Sequence, residues 1–123
     1  MVGAIPGEIA MHPKPVGRGY VILEAQPNHP WRSTDKALGS APLHAHEFHY
    51  SSLSGLPAGT RYAYAMRRGH GIDGQHDGIL LHHMLASYTH LRATTGCDWP
   101  AKFVHYVRSC QNIDSKEATP CSH

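Results

Sequence analysis

Arg61-Tyr62-Ala63-Tyr64-Ala65-Met66-Arg67 reads with a period of two. Tyr62, Tyr64 and Met66 fall on one side of an extended chain and Ala63 and Ala65 on the other, which is strand patterning rather than helix patterning. Gly55-Leu56-Pro57-Ala58-Gly59 just before it is a turn. Ala45 to Ser51 is another strand, with Phe48 and Tyr50 on one face and His49 on the other, and the two together resemble an antiparallel hairpin.

Val16 to Ala25 reads as a further strand. Tyr20 and Ile22 face one way and Val21 and Leu23 the other, so a sheet covered on both faces is expected. Val2 to Ile5 is a short apolar run stopped by Pro6-Gly7, and Pro27 to Pro42 has the character of a loop. Glycines 69, 71, 74 and 78 mark a tight loop whose backbone takes positive φ or lies close against something. Ile79–Leu81 and Met84–Tyr88 read as strand, separated by His82-His83. One helix is convincing. Asp98 suits its cap and Pro100 its first turn, and Phe103, Val104 and Val107 form an apolar stripe. From Gln111 onward the chain is polar and reads as a disordered tail. Several short strands and one late helix make the class α/β, in the form of the second half of a larger domain.

Composition narrows the function classes. The chain has 123 residues, enough for one small domain, and its 41% hydrophobic and 16% charged residues are those of a globular protein. A net charge of +2, with Arg67-Arg68 the only basic pair, gives no clustered basic face for nucleic acid. No apolar run approaches the roughly 18 residues that span a bilayer. MVGAIPGEIA has no basic leader and does not read as a signal peptide. Cys97, Cys110 and Cys121 are odd in number and lack CxxC spacing, so they read as reduced thiols in a cytoplasm.

The chemistry-bearing residues lie in three segments: AHEFHYS (45–51), RGHGIDGQHDG (68–78) and LASYTHLR (85–92). His44 and His46 share a strand face and could begin a zinc or copper site, but spacing fixes no further ligand, so no metal is assigned. Glu47 sits among apolar and aromatic residues, where a carboxylate must be paired; it orients a histidine, binds an amine, or lies exposed. His90 closes a strand after Ser87-Tyr88-Thr89, a position where reacting groups converge in α/β folds. The remaining members of a set of 12 histidines, His49, His70, His76, His82, His83 and His105 among them, read as structural or surface residues.

MVGAIPG, the GRGY run at 17–20, HEFHYS, GHGIDGQHDG, ASYTHL and DWPAKFVHYVR together resemble the cobyrinic (or hydrogenobyrinic) acid a,c-diamide synthases, in order and at compatible spacing over residues 1 to about 110. The same motifs occur in relatives acting on sirohydrochlorin-type rings. The resemblance implies the C-terminal half of a class I glutamine amidotransferase-like, flavodoxin-like domain over 1–110, followed by the tail at 111–123. It implies a parent enzyme in which ATP and magnesium activate acetate carboxylates of a tetrapyrrole acid and glutamine supplies ammonia. The family's amidotransferase histidine carries over to His90, with Glu47 a candidate to orient it. This sequence departs from the family in three ways: it has no GxxxxGK[ST] phosphate loop, no cysteine in a CGG-type elbow, and Arg92 where many class I amidotransferases place a glutamate. The expectation is therefore an amidotransferase portion with no cofactor of its own, completed by a partner chain or prone to self-association. The competing expectation is a free-standing binding protein that re-uses the scaffold for a tetrapyrrole, a metal or another protein.

Overall fold

The computed structural model describes residues 3–31, 41–94 and 97–118, with side chains through Ile113. The strands are β1 (Glu8–Met11), β2 (Gly17–Ala25), β3 (Leu43–His49), β4 (Ser51–Ser54), β5 (Arg61–Arg68), β6 (His76–Leu81), β7 (Met84–Ala86) and β8 (Thr89–Leu91); one helix, α1 (Trp99–Ala118), follows. The described residues, strand-rich with a single late helix, fit a fragment of an α/β domain of flavodoxin-like type. Every strand pair among the described residues is antiparallel.

The hairpin expected between 45–51 and 61–67 is not formed. β2 lies between β3 and β5 in a six-stranded sheet of order β7-β6-β5-β2-β3-β8. The alternation marks strands correctly, but it says which face a residue takes and not which strand lies next to it. The segment read as one strand ending at Ser51 is split. Tyr50 interrupts it, and β4 turns away to pair with β1 in a separate two-stranded sheet.

The sheet is strongly curled. β7 and β8 are its opposite edges, yet only Ser87 and Tyr88 join them. Three Cα–Cα steps of about 3.8 Å reach at most ~11 Å. A flat sheet of six strands at about 4.8 Å spacing would hold its edges ~24 Å apart. The sheet must therefore bend until its edges nearly meet, and the Ser87-Tyr88 link is the seam.

The core fills the inside of this curl. Val21, Leu23, Ala45, Ala63 and Tyr64 form it, with Leu43, Leu80, Leu85 and Leu91 packed around them. Tyr64 is buried with its hydroxyl 2.9 Å from His29 Nε2, so its polar end is satisfied. The two β2 faces are covered unequally: Val21 and Leu23 are buried, whereas on the other face Ile22 is half-buried and Tyr20 is 80% exposed. β3 keeps the expected alternation, and the face carrying His49 is the one that turns inward. Its inward face is Ala45, Glu47 and His49, while Phe48 points outward and is 50% exposed.

α1 begins where Asp98 and Pro100 place it, and Lys102 N–H donates to the Asp98 carbonyl at 3.3 Å. Trp31 anchors its first turns, stacking on Trp99 and meeting Phe103 edge-on. The apolar stripe of Phe103, Val104 and Val107 is nonetheless exposed. The helix continues to Ala118, so the boundary expected at Gln111 falls inside it; 119–123 lie outside the described residues.

Candidate functional site

Glu47 is an inward residue of β3, 1% exposed. Its Oε1 accepts the His70 N–H at 2.6 Å and its Oε2 the Gly71 N–H at 2.9 Å. His49 Nε2, two residues along the same face, lies 3.1 Å from Oε2. Burial alone would push this carboxyl's pKa up; the two backbone donors and the imidazole outweigh it and hold the pKa below the ordinary 4.5. The glycine loop makes this possible. Gly71 has φ of 62°, and a Cβ there would sit 2.6 Å from the His76 carbonyl, so a bare backbone is required for the N–H to reach Glu47. Gly17, paired with His49 across the ladder, has no room for a Cβ beside these two side chains.

His49 is held at both nitrogens. Nδ1 lies 2.9 Å from the Ser51 carbonyl and Nε2 faces Glu47, so both bonds form only when both nitrogens carry hydrogen. Its ring stacks on Tyr88, with centroids 3.9 Å apart and planes 11° apart. The Tyr88 hydroxyl is 2.9 Å from Ser51 Oγ.

A second buried carboxylate grips the same segment. Asp77, in β6, is 0% exposed. The Tyr88 N–H donates to its Oδ1 at 3.1 Å; the Thr89 N–H and Thr89 hydroxyl donate to its Oδ2 at 2.9 and 2.7 Å. β6 and β8 are separated by β5, β2 and β3 in the sheet, so these bonds close the curl across the seam.

His90 follows directly. It is the middle residue of β8 rather than its last, and it is exposed. It pairs with His46 in the ladder, and Tyr20 pairs with His46 on the other side. The three rings form a row on the outer face, with centroid spacings of 5.9 Å (Tyr20–His46) and 6.5 Å (His46–His90). The structure does not bring Glu47 and His90 together: Glu47 pairs with Thr89 and points to the opposite face. The histidine that Glu47 orients is His49. Among the described residues, no group of three or more His, Cys, Asp or Glu is arranged to hold a metal.

Sequence reasoning singles out neither Asp77 nor Tyr88, while His49, read there as structural or surface, is buried and bonded at both nitrogens. Asp77 carried a legible signal, since an acid embedded in a strand run before Gly78-Ile79 needs donors, as Glu47 does. His70, read as structural or surface, contributes through its backbone N–H to Glu47. Cys97 and Cys110 are free thiols; Cys97 lies in an isolated bridge with Thr94, and Cys110 Sγ is 3.7 Å from His83 Nδ1. A cavity of about 370 Å³ lies between the 3–9 segment and Ile72, Ile79 and Tyr88; its lining is mostly apolar and His90 is not part of it. Among the described residues, no helix is long and apolar enough to cross a membrane.

No family model matches the chain. No solved structure is a significant match. Among curated proteins it is 44% identical over 108 residues to the cobyrinate a,c-diamide synthase of Magnetococcus marinus, covering 88% of this chain and 22% of that protein. It is 36% identical over 104 residues to the enzyme of that name from Methanothermobacter thermautotrophicus, covering 84% of this chain and 22% of that protein. With the one from Halobacterium salinarum the identity is 35% over 91 residues, 74% of this chain and 19% of that protein. The chain thus spans 19–22% of the length of these relatives, and over that span it belongs to the cobyrinate a,c-diamide synthase family.

Proposed function

We propose that this chain is part of the glutamine amidotransferase unit of an ATP- and glutamine-dependent synthase that amidates acetate side chains of a tetrapyrrole, of the cobyrinic acid a,c-diamide type used in cobalamin biosynthesis. The observation that carries the reading is the 44% identity over 88% of the chain to a cobyrinate a,c-diamide synthase, spanning the segment that holds His90. His90 is the base. Its imidazole takes the proton from a cysteine thiol supplied by a segment outside these residues, the thiolate attacks the side-chain amide carbon of glutamine, and the imidazolium returns the proton to the departing ammonia. Water then releases glutamate from the thioester.

The exposure of His90 supports this role, because a base for a nucleophile delivered from elsewhere must stand open on its face. The glycine loop does not offer its His70 and Gly71 N–H groups to a nucleotide. The glycine loop is the natural place for backbone N–H groups to gather around a phosphate, but the His70 and Gly71 N–H groups are already bound to Glu47. ATP and magnesium belong, in this reading, to another domain of the enzyme, as does the activation of the acetate as an acyl phosphate.

The test compares nitrogen sources in the complete enzyme. His90→Ala lowers glutamine-dependent amidation by at least the ~10²–10⁴-fold that a positioned base contributes and leaves ammonia-dependent amidation in place. Full glutamine-dependent turnover in His90→Ala refutes the assignment.

A further inference from the structure

Because β8 is a three-residue strand at the edge of the sheet, His90 is held from one side only, by β3. A short, singly paired strand frays readily. What fixes it is therefore its N-terminal anchor, and that anchor is Asp77. Both oxygens of this fully buried carboxylate are committed to the two residues before His90: Tyr88 through its N–H, and Thr89 through its N–H and its hydroxyl. Rotation of the Thr89 peptide would swing the His90 Cα with it, and the Asp77 bonds forbid that rotation. The Tyr88 side chain is pinned independently by His49 and Ser51, so the dipeptide is fixed in backbone and side chain alike.

We propose that Asp77 is a positioning residue that sets the direction of the His90 imidazole. This rests on the reading of His90 as the base. Asp77 reaches His90 only through the Tyr88-Thr89 peptide and touches no reacting atom. Thr89 shares the task, its hydroxyl being the donor that lies at 2.7 Å from the carboxylate.

The full-length enzyme carrying His90→Ala, Asp77→Asn, Thr89→Val or Thr89→Ser is assayed with glutamine and, separately, with ammonium chloride. Asp77→Asn places an N–H₂ group where Oδ2 or Oδ1 accepted, so it breaks at least one backbone bond while keeping shape. Misplacing a base by about 1 Å costs roughly 10²-fold. Asp77→Asn is expected to lower glutamine-dependent kcat by roughly 10- to 100-fold with KM for glutamine and the ammonia-dependent rate near wild type. Thr89→Val falls in the same direction by less, and Thr89→Ser, which restores the hydroxyl, recovers the activity. Faster amide hydrogen exchange at Tyr88 and Thr89 in Asp77→Asn is the direct structural readout. Equal loss with glutamine and ammonia in Thr89→Val, unrescued by Thr89→Ser, overturns the proposal, as does normal glutamine turnover in Asp77→Asn or, where that variant does not fold, in Thr89→Val. Should His90→Ala itself retain glutamine turnover, the reading of His90 as base fails first, and the positioning role falls with it.

Discussion

Tyr88 lies flat against His49, ring centroids 3.9 Å apart, and its hydroxyl reaches Ser51 at 2.9 Å. Glu47 thus acts on the segment before His90 at second hand, through the histidine it holds rather than through the one it was expected to orient. Tyr88→Phe should cost only about 1 kcal/mol, the value of one hydrogen bond, whereas Tyr88→Ala should cost about 3 kcal/mol or more by removing the stacked ring. Urea unfolding of the two variants compares them; equal losses would mean that the stack contributes nothing.

Glu47 gives the fold an acid limit. Its folded pKa lies below its ordinary 4.5, so its contribution is fully present above pH 4.5 and is lost as the pH falls through the lower folded value. Stability measured from pH 7 down should therefore drop below about 4.5, and the drop should be shallower in Glu47→Gln. Glu47→Ala should cost about 3 kcal/mol at neutral pH, since it strands the His70 and Gly71 N–H groups. A pH profile identical in wild type and Glu47→Gln would count against this account.

The glycine loop can be probed with its own control. Gly71→Ala forces a Cβ against the His76 carbonyl at positive φ and should cost at least about 2 kcal/mol. Gly59→Ala, where nothing lies within 4 Å, should be neutral or slightly stabilising. Thermal melts of both variants read the difference, and similar melting temperatures would remove the argument for the loop.

Zinc should not raise the melting temperature of the chain at equimolar concentration. His44 and His46 lie on the exposed face of β3 without a third ligand arranged beside them among the described residues. A shift of several degrees that disappears in His44→Ala and His46→Ala would favour the binding-protein alternative.

Much of this was legible in the sequence, unevenly. The period of two in 61–67 locates β5, the glycines of 69–78 mark a positive-φ loop, and Asp98-Trp99-Pro100 marks the helix start, because each is a local backbone effect. Which strand neighbours which was not legible. β2 takes both β3 and β5 as partners, and that choice depends on how the whole sheet bends. For the same reason an acid at position 47 announced that it needed donors but not that they would come from His70 and Gly71. The outward Phe48 and the exposed stripe of α1 follow no local rule, and nothing in the structure explains their exposure.

The seam at Ser87-Tyr88 has a kinetic consequence. β2 must recruit partners from far along the chain, and only when β3, β5 and β6 are in place does the sheet bend enough for the Asp77 carboxylate to meet Thr89. Such non-local pairing is slow to form. The step that shuts the curl is expected to come late in folding and to open first under heat or denaturant, so the peptide carrying His90 should lose its protection from solvent exchange ahead of β2 and β5.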